Sequence, residues 1–361
     1  MFNRFKTGLC RALALGLALF SGGPPICQAG SAASRPNTVV VTNYHGWTNA
    51  ILLGNGQVEA VVVPEAGRVM QFRFAGSTNG PFWENSKLYG KPSSAANWST
   101  TGAIGGDKSW PAPQSDWGAG WPPPTGFDGT PYSSAIANQI WMLNTTNLLT
   151  DRFAVTNNAV TISSPIDSGY KIQIYRTIQL VPLQPVMQIR TVFRRFEGAT
   201  RTNPVSVWTI TQVNDPAGIF VPVPAQSIFA PADYFQLGRG LPAQFTYANG
   251  LISLKRDPAA QRHLGFDADS LVWIGDDIAL RIDAPRGAGL SKTNYPNGGC
   301  NTVIYTNPGT DAPYVELECF GPLRILPAGQ TMEFVTTYTL FHRTDANPEV
   351  EARKVLGLPA R

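Results

Sequence analysis

The sequence predicts an all-β protein, a large antiparallel sandwich or barrel. Three observations carry that expectation. Apolar and polar residues alternate with period two in one segment after another, the mark of half-buried strands. The 361 residues include 35 Gly and 30 Pro, which punctuate those segments as turns. Helical periodicity is almost absent, and a dozen or more short strands with turn-rich links form sandwiches or barrels.

The elements follow in order. Residues 48–53 (TNAILL) run into Gly54-Asn55-Gly56, a strong hairpin signal, and residues 57–63 (QVEAVVV) return. Pro64-Glu65-Ala66-Gly67 turns the chain into a third strand over 68–74. Further strands are expected over 153–155, 159–163, 170–180, 186–196, 205–212, 251–255, 271–274, 278–282, 302–306, 314–320 and 331–341. Residues 347–356 (NPEVEARKVL) read as a short terminal helix. No fixed-period repeat and no long polar linker divides the chain. One domain is expected over 36–345, with 346–361 as a short tail.

Only 14% of residues are charged, against about 25% on average. The net charge of +4 is concentrated at the start, where Arg4, Lys6 and Arg11 stand without an acid. A nucleic-acid binder needs a concentrated basic face, and none is present. Residues 1–11 are basic, 12–20 (ALALGLALF) apolar, and the next stretch small and helix-breaking. That order is a secretory signal over 1–29, with cleavage after Ala29 or Ala33. The apolar run is too short to span a bilayer, which takes about 20 residues, so no membrane association is expected after cleavage. The expected location is the bacterial periplasm or beyond. Cys300 and Cys319 would then be a candidate disulfide in an oxidising compartment, with two buried free thiols as the alternative.

Residues 77–132 lack strand periodicity and hold Trp83, Trp98, Trp110, Trp117 and Trp121, five of the nine tryptophans. Long loops without secondary structure are commonly functional. An indole offers a flat apolar face with one donor at its edge, which suits the C–H face and hydroxyl rim of a sugar. The alternative is that these rings staple loops to the sandwich. The standard nucleotide, zinc, thiol-redox and serine-hydrolase motifs are missing from 30–361, no cofactor is implied, and His45, His263 and His342 lie far apart in sequence.

Three segments together resemble galactose mutarotase-like (aldose 1-epimerase-like) proteins, and more closely a bacterial branch of that superfamily. They are Pro64 to Gly76 with Arg68; Ile104-Gly105-Gly106-Asp107-Lys108-Ser109-Trp110-Pro111-Ala112-Pro113-Gln114; and Trp208-Thr-Ile-Thr211-Gln212 followed by Pro313 to Pro322. The resemblance covers roughly 45–341 and implies a β-supersandwich with a sugar site on its concave face. It also implies a histidine acid and a glutamate base. Here Asp107 and Gln114 replace the histidine and glutamate of the branch's Gly-Gly-His-Arg-x-Trp-x-x-Pro-Glu signature, so fold and ligand class transfer better than catalysis.

On the strand 314–320, alternation puts Tyr314, Glu316, Glu318 and Phe320 on one face. Two glutamates so placed repel, raising one pKa and allowing one site to hold both acid and base. Glu318, just before Phe320-Gly321-Pro322 where the mutarotase base would stand, is the expected base. Glu316, Asp107 or Lys108 would supply the acid. Arg68, Trp83, Trp110, Gln114, Trp208 and Gln212 are the expected sugar contacts. The reading is a cofactor-independent epimerase or mutarotase-type enzyme. Its alternatives are a non-catalytic periplasmic sugar binder and a polysaccharide lyase, in which Lys108 and Arg68 would hold a uronate.

Overall fold

The computed structural model describes residues 38–91, 103–117, 133–137 (backbone only), 159–242 and 244–359. The proposed signal, its cleavage points, the expected strand at 153–155, and Trp98 and Trp121 lie outside them. The strands are β1 (Thr38–Tyr44), β2 (Trp47–Gly54), β3 (Val58–Val63), β4 (Arg68–Phe74), β5 (Asp107–Ala112), β6 (Ser133–Ala137), β7 (Ala159–Ser163), β8 (Ile172–Leu180), β9 (Val186–Arg195) and β10 (Ser206–Asn214). They continue as β11 (Gly218–Pro222), β12 (Phe235–Gln236), β13 (Thr246–Ala248), β14 (Leu251–Leu254), β15 (Arg262–Phe266), β16 (Ser270–Ile274), β17 (Ile278–Asp283), β18 (Thr302–Thr306), β19 (Tyr314–Phe320) and β20 (Thr331–His342), followed by helix α1 (Pro348–Leu356).

These strands form two antiparallel sheets. The first has the order β1-β2-β3-β4-β5-β10-β19-β18-β15-β12, and the second β13-β14-β11-β16-β17-β20-β9-β8-β7-β6. Alternation puts one face of each sheet into a shared apolar core containing Val58, Val62, Phe72, Ile178, Ile189, Phe193, Leu317 and Leu340. The expected hairpin forms at Asn55, and its side chain also links the sheets. Oδ1 accepts from the Gln57 and Val58 amides, while Nδ2 donates to the Val181 and Gln184 carbonyls beyond β8.

The interior also holds one polar knot. Asp107 on β5 is fully buried and ion-paired with Arg176 of β8, across the sandwich. Its other carboxylate oxygen accepts from Thr211 and from Tyr338 of β20, each at 2.7 Å. Arg176 also donates to the Asp107 carbonyl at 2.9 Å. An isolated buried charge would be prohibitive, but here each carboxylate oxygen of Asp107 is hydrogen-bonded and the counter-charge is adjacent, leaving only Arg176 Nε without a partner among the described residues.

The terminal helix forms where its caps predict. The Asn347 side chain accepts from the Glu349 amide, Pro348 opens the first turn, and Gly357 closes the last at φ 66°. Ala352 and Val355 pack with Phe220, Val272 and Ala279 on the outer face of the second sheet.

Candidate functional site

The register of the first sheet determines which side chains can meet. Lys108, Ile210, Glu318, Val303 and Gly265 are successive partners across β5, β10, β19, β18 and β15. One step along, Gln212, Glu316, Tyr305 and His263 form a parallel row. One step the other way stand Trp110, Trp208 and Phe320. Residues two apart share a face, so all three rows lie on the side of the sheet away from Asp107, Thr211 and Leu317. The face therefore combines two carboxylates, one imidazole, one ammonium and several aromatic rings.

Glu318 sits between two apolar partners, Ile210 and Val303, and is 1% exposed. Its Oε2 has no hydrogen-bond partner. Its Oε1 lies 3.6 Å from Nε2 of His263, which is partly exposed. Burial pulls the His263 imidazole down, but Glu318 beside it and Glu316 beyond outweigh that, so its pKa stands above the ordinary value.

Glu316 keeps partial access to solvent. Its carboxyl is raised, first by desolvation and then by Glu318, against the opposing pull of Lys108, Gln212 and His263. Gln212 is held in one orientation. Its Oε1 accepts from the Gly105 amide at 2.9 Å, so its Nε2 faces Glu316 and donates to Oε1 at 2.9 Å. The Gly105-Gly106 pair earns its glycines here. Gly105 has φ 107° and a Cβ on it would stand 2.3 Å from the Trp83 carbonyl; Gly106 has φ 69° and would meet the Val69 carbonyl at 2.4 Å. Buried Arg68 donates to the Gly105 carbonyl at 2.8 Å and supports the same turn.

The expected residues thus divide. Glu316, Glu318, Lys108, Gln212, Trp110 and Trp208 share the face, and Trp83 reaches its margin, 4.8 Å from Tyr314 between ring centres. Asp107 does not join them. It alternates with Lys108, points into the sandwich and is consumed by Arg176, Thr211 and Tyr338, so it is corrected from candidate acid to interior brace. Gln114 stands exposed in the short turn after β5, off the glutamate rows.

The disulfide is corrected too, because both cysteines are free and buried. Cys319 alternates with Glu318 and faces the interior. The Cys300 Sγ lies over Gly265 on the opposite side of the sheet, where a Cβ would be 2.2 Å away. Nor are the described tryptophans open platforms. Trp110 and Trp208 are 2% and 7% exposed. Lys108 Nζ covers the Trp110 ring at 3.6 Å, and Trp208 stacks on Phe320 at 5.4 Å. Trp117 joins this nest, 5.4 Å from Trp110.

His263 is the site residue that sequence reasoning missed. It comes from β15, a short strand (RHLGF) that was not expected. The signal was present in its alternation, with His263 and Gly265 on one face and Leu264 and Phe266 on the other. No cluster of three or more His, Cys, Asp or Glu side chains fit to hold a metal occurs among the described residues.

No protein-family model matches the chain, and no curated protein does either. Among solved structures, it is similar to a galactose mutarotase-like protein from Lactobacillus casei, with a TM-score of 0.50 and 10% identity over 81% of this chain and 100% of the other. The Slr1438 protein from Synechocystis (TM-score 0.49, 12% identity, 86% of this chain and 97% of the other) and a galactose mutarotase related enzyme from Lactobacillus acidophilus (0.43, 11%, 82% and 98%) also match. The fold is the galactose mutarotase-like β-sandwich. At such identity the likeness speaks to the fold alone.

Proposed function

We propose that the chain is an exported carbohydrate-binding protein that interconverts sugar anomers by proton transfer on the β10–β19–β18–β15 face. The observation that carries this reading is the His263–Glu318 contact of 3.6 Å, made by a carboxylate with one unpartnered oxygen in an apolar setting. A buried carboxylate and an imidazole of raised pKa form an acid and base side by side. In the forward step Glu318 takes the proton of the anomeric hydroxyl. His263 gives its proton to the ring oxygen as the bond from that oxygen to the anomeric carbon breaks, leaving an open-chain aldehyde. After rotation about the adjacent carbon–carbon bond, the two transfers reverse and close the other anomer. Glu316, its carboxyl raised by desolvation and tethered by Gln212, stands next to the pair. No cofactor takes part in these steps. The N-terminal secretory pattern supports periplasmic or secreted localisation.

The test is exchange NMR on free aldohexoses, pentoses and uronic acids. Glu318→Gln is expected to abolish anomer exchange while sugar binding survives. A wild-type chain that binds a sugar without accelerating exchange, cleavage or elimination is a binder rather than an enzyme.

A further inference from the structure

The candidate face contains many aromatic rings, yet most have no surface to offer. Trp83, Trp110, Trp208, Tyr314 and Phe320 are 8%, 2%, 7%, 9% and 1% exposed. Among the described Trp, Tyr and Phe rings flanking the two glutamates, Tyr305 is the one that retains solvent access. It is the direct partner of Glu316 on one side and of His263 on the other. Its ring therefore lies in the row that joins the raised carboxyl to the imidazole.

Tyr305 is also held in place before any ligand arrives. Its hydroxyl donates to Asn307 Oδ1 at 3.1 Å, and the Asn307 amide donates to the Ala312 carbonyl at 2.8 Å. The imidazole of His263 meets it edge to face, 5.8 Å between centroids at 87°, and Tyr314 packs behind it at 6.4 Å. A ring held by these contacts that still keeps solvent access is a preorganised support, which lowers the entropic cost of binding.

We propose that Tyr305 is the platform on which the apolar C–H face of a sugar ring rests, placing that ring alongside the Glu318–His263 pair. This rests on the carbohydrate reading above and replaces the tryptophans of 77–132 as the expected stacking surface for the described part of the chain. A ligand of this class is a pyranose with one continuous C–H face, turned so that its anomeric end meets the acid–base pair. A flat, wholly polar ligand would gain little from the same ring.

The experiment is a glycan array carrying hexoses, pentoses, uronic acids and their short oligomers, followed by tryptophan-fluorescence titration of the best-bound glycan. Tyr305→Phe keeps the ring and is expected to bind within about twofold of wild type. Tyr305→Leu keeps bulk but no aromatic face and is expected to weaken binding roughly tenfold. Should the leucine variant fail to fold, transferred NOEs from ring protons of Tyr305 to C–H protons of the glycan give the same answer on the wild-type chain, and they vanish when tyrosine is deuterated. Sugar binding that ignores Tyr305→Leu, or an absent NOE, overturns this assignment and leaves the carbohydrate reading standing. A wild-type chain that binds nothing on the array overturns both.

Discussion

Replacing Asp107 by Asn tests whether the register is right. The change removes one charge and almost no volume. In the native chain the carboxylate faces Arg176 and accepts hydrogen bonds from Thr211 and Tyr338 at 2.7 Å, all fully or almost fully buried. An amide in its place leaves the Arg176 guanidinium without a counter-charge and points two N–H donors at groups that were donating. Breaking one side of a buried pair costs about 3–5 kcal/mol. At roughly 2–4 °C per kcal/mol for a domain of this class, the melting temperature should fall by on the order of 10 °C. Differential scanning calorimetry with urea titration measures both quantities. The double variant Asp107→Asn with Arg176→Met removes the stranded charge and should recover much of the loss, giving a large coupling energy in the cycle. A loss below about 1 kcal/mol, paired with collapse of any sugar activity, would refute the reasoning. It would put Asp107 on the face with the glutamates.

Two further outcomes follow from the site. The His263 imidazole should titrate above its ordinary value of about 6.5 by NMR, and fall back in Glu318→Gln. Because the folded value is the raised one, the stability His263 contributes is complete below about pH 6.5 and is lost as pH rises through the folded pKa. The difference in unfolding free energy between wild type and His263→Gln should therefore decline across neutral pH, and a flat or rising difference contradicts the contact. Cys300 and Cys319 are buried thiols, so a thiol reagent should label both only after unfolding, and a reductant should leave the melting temperature unchanged. A drop with reductant would reveal a bridge.

Much of this architecture was legible because half-buried strands write themselves as alternation. The segments 57–63, 68–74, 186–196 and 331–341 announce β3, β4, β9 and β20 with few errors at their ends. Strand β5 was hidden for a physical reason. Asp107 to Ala112 is buried on both faces, one polar through an ion pair and the other through Lys108 and Trp110, so neither periodicity nor hydrophobicity marks it, and Pro111 argues against a strand. Strand β15 carries its alternation over only five residues, too few to stand out beside the longer strands, and His263 went with it. The carboxylate pair was readable from spacing within β19 alone. Its partners were not, since they arrive from strands far away in sequence and only sheet order brings them together. Asp107 and the cysteines went wrong for the same reason: resemblance and spacing assign a residue type, while the parity of its position decides the side of the sheet.

That parity has a consequence for how the protein can vary. Neighbours Asp107 and Lys108 face opposite sides, one anchored to the far layer by Arg176 and the other lying over Trp110. A slip of β5 by a single residue would drive an ammonium into the hydrocarbon between the layers and set a third carboxylate against Glu316 and Glu318. The brace in the interior thus acts as a ratchet tooth. The outward residues can drift toward a new ligand only so long as that tooth stays engaged.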